Sequence, residues 1–187
     1  MDALLLGFFW AMIALVRLGQ GIQLRELLPL YLAIQAGLVA ILFVKRRKPH
    51  RKANRWQEGV AWLSALLPLS LQLRGGQYHP LGEWVAAVGV AISILAVNRL
   101  DKSFGVAPAD RGLVDQGIYR LVRHPMYLGE LLALWGAAFS WLTVWNVLVV
   151  VAQMAFTVLR IRWEERLIAG YESYKAQVKW RLLPLIW

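Results

Sequence analysis

The sequence predicts an all-α fold: a polytopic membrane helix bundle of about five to six transmembrane helices. It is expected to end in a C-terminal helical hairpin followed by an amphipathic helix. Three observations predict this. Hydrophobic residues make up 59% of the 187 and the mean hydropathy is +0.50, so too few polar side chains remain to coat a soluble domain. Apolar runs recur from one end to the other, separated by short connectors rich in charge, glycine or proline. The basic residues sit almost entirely in those connectors.

Taken in order, the apolar runs are Leu4–Leu18, Leu27–Val44, Gly59–Leu71, Leu81–Val97, Met126–Phe139 and Trp141–Leu159. The first has no basic residue before Leu4 and no small-residue cleavage site after Val16, so it reads as a retained helix rather than a signal peptide. Several runs fall short of the roughly 20 residues that a spanning helix needs, so they are expected to extend into their connectors. As one helix, Pro125–Leu159 would be roughly 52 Å long at 1.5 Å per residue. That exceeds a hydrocarbon core of about 30 Å, so a hairpin turning near Ser140 is expected.

Of the 21 Lys and Arg, seven lie between Lys45 and Arg55, five between Arg99 and Arg123, and six between Arg160 and Arg181, leaving Arg17, Arg25 and Arg74 elsewhere. Basic residues flanking spans collect on the cytoplasmic side and contact anionic lipid there. Segments 45–58, 98–125 and 160–187 and the N-terminus are therefore expected in the cytoplasm, with 72–80 and the turn near 140 outside. Trp141 and Trp145, and Trp56 and Trp163, would mark the two interfaces. The net charge of +10 is thus read as orientation and lipid contact, not as a nucleic-acid surface. The absence of cysteine excludes disulfides, thiolate zinc, iron–sulfur clusters and a cysteine nucleophile. His50, His79 and His124 are too scattered to suggest a metal site. Nothing in the sequence sets the oligomeric state.

The connector 98–125 differs from the others. Gly105, Pro108, Gly112, Gly117 and Pro125 are interleaved with charge and aromatics, which is turn chemistry. Irregular backbone beside a membrane needs polar partners, and a bound polar ligand would supply them. Pro125 suits the first turn of a helix, which puts His124 at its start, where free amides favour an anion such as a ligand carboxylate. A positive-inside helix start with an interfacial tyrosine is the plainer account. Arg160 and Glu164, four apart, share a helical face. A carboxylate at the water–hydrocarbon boundary needs a cation or a polar ligand, and a surface ion pair is the plainer account there. Leu167, Ile168, Tyr171, Tyr174 and Val178 fall near the spacing of an amphipathic surface helix.

Together these clusters resemble the isoprenylcysteine carboxyl methyltransferases and the related phospholipid N-methyltransferases. The likeness is carried by Arg111-Gly112-Leu113-Val114, Gly117-Ile118-Tyr119, Arg123-His124-Pro125-Met126-Tyr127-Leu128-Gly129, Arg160, Glu164-Glu165 and Tyr171/Tyr174. It covers roughly residues 95 to 187. One membrane domain is expected, with helices in 1–97 and a methyltransferase-like, cofactor-binding core in 98–187.

The resemblance implies methyl transfer from S-adenosylmethionine, leaving S-adenosylhomocysteine, to a small lipid or an isoprenoid or prenylcysteine-like carboxylate. It implies an active site on the cytoplasmic face of a bacterial-type inner membrane, with membrane lipids and the lipophilic acceptor as partners and no metal. By position, Arg111, Gly112, Leu113 and Val114 would run along the cofactor. Tyr119, His124, Pro125, Met126 and Tyr127 would form its pocket, and Glu164 would bind its polar groups. Arg160 would face the acceptor and orient a carboxylate. For an amine, phenol or enol acceptor, Glu165 or His124 would be the base. Phe104 stands where some members place a polar cofactor contact, and the spacer from Glu165 to Tyr171 is shorter than in the longer family pattern. Two other readings stay open: a sterol-reductase-like enzyme using NADPH, whose relatives are generally longer, and a non-catalytic lipid-binding protein of the same fold.

Overall fold

The computed structural model describes residues 3–24, 27–73, 77–184 and 186–187; Arg25, Arg74 and the middle of the expected 72–80 turn lie outside them. The first two apolar runs form an antiparallel pair, α1 (Ala3–Leu24) and α2 (Leu27–Lys45). Gly7 packs beside Ala40 and Val44, which sets the start of α1 level with the basic end of α2. A two-residue strand β1 (Arg51–Lys52) precedes α3 (Arg55–Leu66). Asn54 caps α3 through the Gln57 amide at 2.8 Å while the Gln57 side chain accepts from the Asn54 amide, a reciprocal capping box.

The third segment departs from expectation. Its α-helix has 12 residues, roughly 18 Å, and Pro68 tightens the next four into a 3-10 turn, Leu67–Ser70. Extended chain completes the run. At its far end Trp145 Nε1 donates to the Ser70 carbonyl at 2.8 Å, and Asn146 accepts from the Gln72 amide at 2.9 Å. At its near end β1 pairs antiparallel with β3 (Ala109–Asp110), Arg51 opposite Asp110. The segment therefore connects both ends of the bundle without being a full-length helix.

The chain returns through β2 (Gln77–Tyr78), α4 (Pro80–Leu100), the connector containing β3, and α5 (Pro125–Ser140). β4 (Trp141–Leu142) then pairs with β2 and turns the chain into α6 (Val144–Leu167), capped by Thr143. The hairpin turn expected near Ser140 is thus present. By length and composition, α1, α2, α4 and α6 are each able to cross a membrane. The 16 residues of α5 span roughly 24 Å and run between the same two ends. The protein is an all-α, integral membrane bundle.

Its spine is the α4–α5 contact. A Cβ at Gly89 would collide with the Ala133 backbone, one at Gly129 with Ser93, and one at Gly136 with Ala86. Small residues bring the two backbones together, which replaces the hydrophobic drive that helices lack inside lipid.

The C-terminus carries the expected short helix, with its apolar side chains against the protein. α6 continues through Leu167, so that residue does not belong to the following helix. Gly170, at φ 75°, reverses the chain in the left-handed conformation that glycine adopts without strain. α7 (Tyr171–Gln177) begins at once, consistent with the short spacer. Tyr171, Tyr174 and Val178 are buried against Leu113 and Ile168, so the apolar face covers the connector rather than lipid.

Candidate active site

The basic connectors fold onto one another at one end. The Arg47 amide donates to Lys102 O at 2.7 Å and the His50 amide to Asp110 O at 2.8 Å. Asp110 is buried, and its carboxylate accepts from the Gly112 amide at 3.0 Å and the Ala169 amide at 3.2 Å, tying the connector to the α6–α7 turn. Gly112 holds φ 96° there, a conformation open to glycine. Gly105 has no side chain because the Arg111 guanidinium fills that space.

This folding encloses a cavity into which several charged and phenolic side chains face, here called the polar cavity. From the connector it is lined by Arg111, Gly112, Leu113, Val114 and Tyr119, and from the α5 start and α6 by His124, Met126, Tyr127 and Glu164. Ile168, Tyr171 and Tyr174 close it from the α7 side. Pro125 is buried as the first residue of α5 and does not line it.

Tyr127 Oη donates to Glu164 Oε1 at 2.6 Å, and His124 Nδ1 lies 3.9 Å from Glu164 Oε2. His124 Nε2 sits 2.9 Å from Tyr171 Oη and 3.3 Å from Glu165. Tyr174 Oη donates to the Tyr119 carbonyl at 2.6 Å and fastens α7 over the cavity. Burial raises the pKa of the Tyr119, Tyr171 and Tyr174 phenols, so all three stay protonated. Burial lowers that of Arg111, helped by the charge of Arg46 and opposed by Glu164. Arg111 Nε is buried and has no partner among the described residues.

Glu165 does not line this cavity. Its carboxylate accepts from Arg181 at 2.9 and 3.0 Å and from Tyr171 Oη at 3.2 Å, and it pairs with the buried Arg123 at 3.2 Å. The Arg123 and His124 amides donate to the Trp180 and Arg181 carbonyls. The tail therefore lies along the start of α5, with Glu165 as its knot.

Arg160 and Glu164 do not turn the same way. Arg160 donates to Ser64 Oγ at 3.2 Å and to the Val106 carbonyl at 3.0 Å, and stacks over the Tyr127 ring at 4.6 Å. Its Nε has no partner among the described residues. It faces a second, largely apolar cavity among α1, α2, α3, α5 and α6. Glu130 lines that cavity too, 4.0 Å from Arg160 and with 27% of its side chain exposed. Phe104 packs edge-on against Phe43 and lines this apolar cavity, not the polar one. Gly105 and Met126 line both cavities and form the boundary between them.

Sequence reasoning missed Glu130, Ser64 and Asp110. Glu130 directly follows the Arg-His-Pro string, one turn after Met126, and that spacing was the available signal. Among the described residues no group of three or more His, Asp or Glu is gathered as a metal site. No curated protein and no solved structure matches the chain. The family model for phospholipid methyltransferases matches residues 79–175, which run from the start of α4 through the connector, both hairpin helices and most of α7. The chain belongs to the phospholipid methyltransferase family, whose members are membrane methyltransferases acting on lipids.

Proposed function

We propose that the protein transfers a methyl group from S-adenosylmethionine to the amine of a membrane lipid. The observation that carries this is the meeting of a polar cavity at the basic end with an apolar cavity in the bundle, at Gly105 and Met126. A water-soluble donor and a lipid acceptor need that arrangement. The chain acts as one unit: 98–187 supplies the donor cavity, while helices in 1–97 complete the walls of the acceptor cavity. The clustering of Lys and Arg assigns the donor side to the cytoplasm, and in a bacterial cell the membrane would be the inner one.

The residues fit the donor. The unpartnered Arg111 Nε suits its carboxylate, Glu164 has acceptor capacity left for its amine or hydroxyls, and Leu113 and Val114 offer an apolar face to its ring. When bound, the donor supplies an electrophilic methyl group on a sulfonium whose charge is lost on transfer, and exclusion of water favours that loss. His124 and Tyr127 orient Glu164. Glu130 is placed to take the proton from the acceptor's ammonium, freeing the nitrogen lone pair. Arg160, held by Ser64 and Val106, braces Glu130 and Tyr127. Glu165, engaged by two arginines, anchors the tail and is not our choice for the base.

A carboxylate acceptor is favoured by one observation, the free Nε of Arg160. Radiolabelled methyl transfer into a lipid extract separates the two, because methyl esters are released by mild base and N-methyl groups are not. Glu130→Gln is expected to lower transfer about 100-fold while S-adenosylhomocysteine binds as before. Calorimetric binding of NADPH, but of neither adenosyl compound, would overturn the proposal.

A further inference from the structure

At the end of the bundle opposite the donor cavity lies a cleft that the methyl-transfer reading does not use. Among the described residues, α1 packs extensively on α2 alone. This leaves an opening between α1 and the stretch 69–73 that follows the short α3. Its apolar walls include Phe9, Met12 and Val16, all exposed at the lipid-facing surface. Ile13, Arg17, Leu69 and Leu71 line both this cleft and the acceptor cavity, so the two adjoin.

Arg17 stands where they meet. It lies seven residues before the end of α1, roughly 10 Å inside it. Its guanidinium reaches toward that end, donating to Gln20 Oε1 at 3.2 Å. Gln20 is neutral, and among the described residues no carboxylate is paired with Arg17. Gln20, Gln23 and Gln72 line the same cleft. A cation at this depth is stabilised by an anion it can reach, and a cation beside amide donors, with apolar walls below, matches a phosphate carrying acyl chains.

We infer that the cleft holds a diacyl phospholipid of the opposite leaflet, its phosphate on Arg17 and one chain laid between α1 and residues 69–73. This lipid would seal the far mouth of the acceptor cavity. It is distinct from the methyl acceptor, whose reacting group belongs at Arg160 and Glu130.

The test uses the full chain in detergent, without methyl donor, and diazirine-bearing phosphatidylglycerol whose cross-links are mapped by peptide mass spectrometry. Cross-links are expected in 9–23 and 69–73. Diacylglycerol with the same chains should give far fewer, a comparison on the wild-type protein that needs no variant. Arg17→Gln should lower phosphatidylglycerol labelling there about tenfold, the loss of one charge-assisted contact. Arg17→Lys should restore most of it, and Lys48→Gln should leave it unchanged. Equal labelling by the two lipids, or labelling indifferent to Arg17→Gln, would overturn the inference. Binding of S-adenosylhomocysteine, measured separately, reports on the methyltransferase reading and on the folding of each variant.

Discussion

Glu165→Gln separates an anchor from a catalyst. In the wild type, the carboxylate faces Arg123, whose side chain is 4% exposed, and Arg181, whose side chain is 27% exposed. Glutamine retains an oxygen for Tyr171 but removes the charge that compensates Arg123. Stranding a buried charge costs about 3–5 kcal/mol. Arg181→Gln removes the more exposed partner and leaves the Arg123 pair in place, so its loss should be nearer 1–2 kcal/mol. The gap between the variants is therefore about 1–4 kcal/mol by the same estimates. Thermal unfolding in detergent, followed by intrinsic tryptophan fluorescence, reads it directly. Glu165→Gln should melt well below Arg181→Gln, and both should bind S-adenosylhomocysteine at temperatures where they remain folded. Equal melting of the two variants would refute the anchoring argument. So would a Glu165→Gln protein that melts like wild type yet transfers no methyl, which would return Glu165 to the role of base.

Tyr127→Phe removes the 2.6 Å bond to Glu164 and should weaken S-adenosylhomocysteine binding about tenfold by calorimetry. Gly89→Ala pushes a methyl into the Ala133 backbone and should destabilise the bundle by about 1–3 kcal/mol. Gly19→Ala, where no described residue lies within 4 Å, should be neutral in the same melting assay. The phenols of Tyr119, Tyr171 and Tyr174 ionise less readily folded than at the ordinary value of 10.0. Their contribution to stability is complete below that value and is lost as pH rises above it toward their folded pKa values. Melting temperature should therefore show no tyrosine-linked fall below pH 10 and should decline above it; a tyrosine-linked loss already present at pH 9 would contradict the buried phenol network.

Much of the bundle was legible because membranes impose simple patterns. Apolar runs, basic connectors and the Pro125 helix start each leave a local trace, and each reappears in α1, α2, α4, α5 and α6. The third segment is an apolar run whose composition does not reveal that its helix stops early; Pro68 within it, and the bonds from Asn146 and Trp145 elsewhere in the chain, decide its shape. That the connector, the start of α5 and the end of α6 would meet could be anticipated from the motif. Their fastening could not, since Arg181 reaches Glu165 across 16 residues and Tyr174 reaches Tyr119 across 55. The acceptor side was harder still. Ser64 and Arg160 are 96 residues apart, and no local pattern marks a serine in an apolar run as the seat of a guanidinium.

The glycine-mediated contact between α4 and α5 has a consequence for ligand binding. Residues 101 to 124 join the ends of two helices whose backbones are held together, so these 24 residues form a loop already closed at its base. Bringing together the ends of a free segment of that length would cost roughly 3 kcal/mol, (3/2)RT ln n, in entropy. The helix pair meets that cost during folding, before any donor arrives. Affinity at the cavity thus depends on residues that never touch the donor. A substitution that parts α4 from α5 would return the closure entropy to the binding step and weaken binding without altering a single lining side chain.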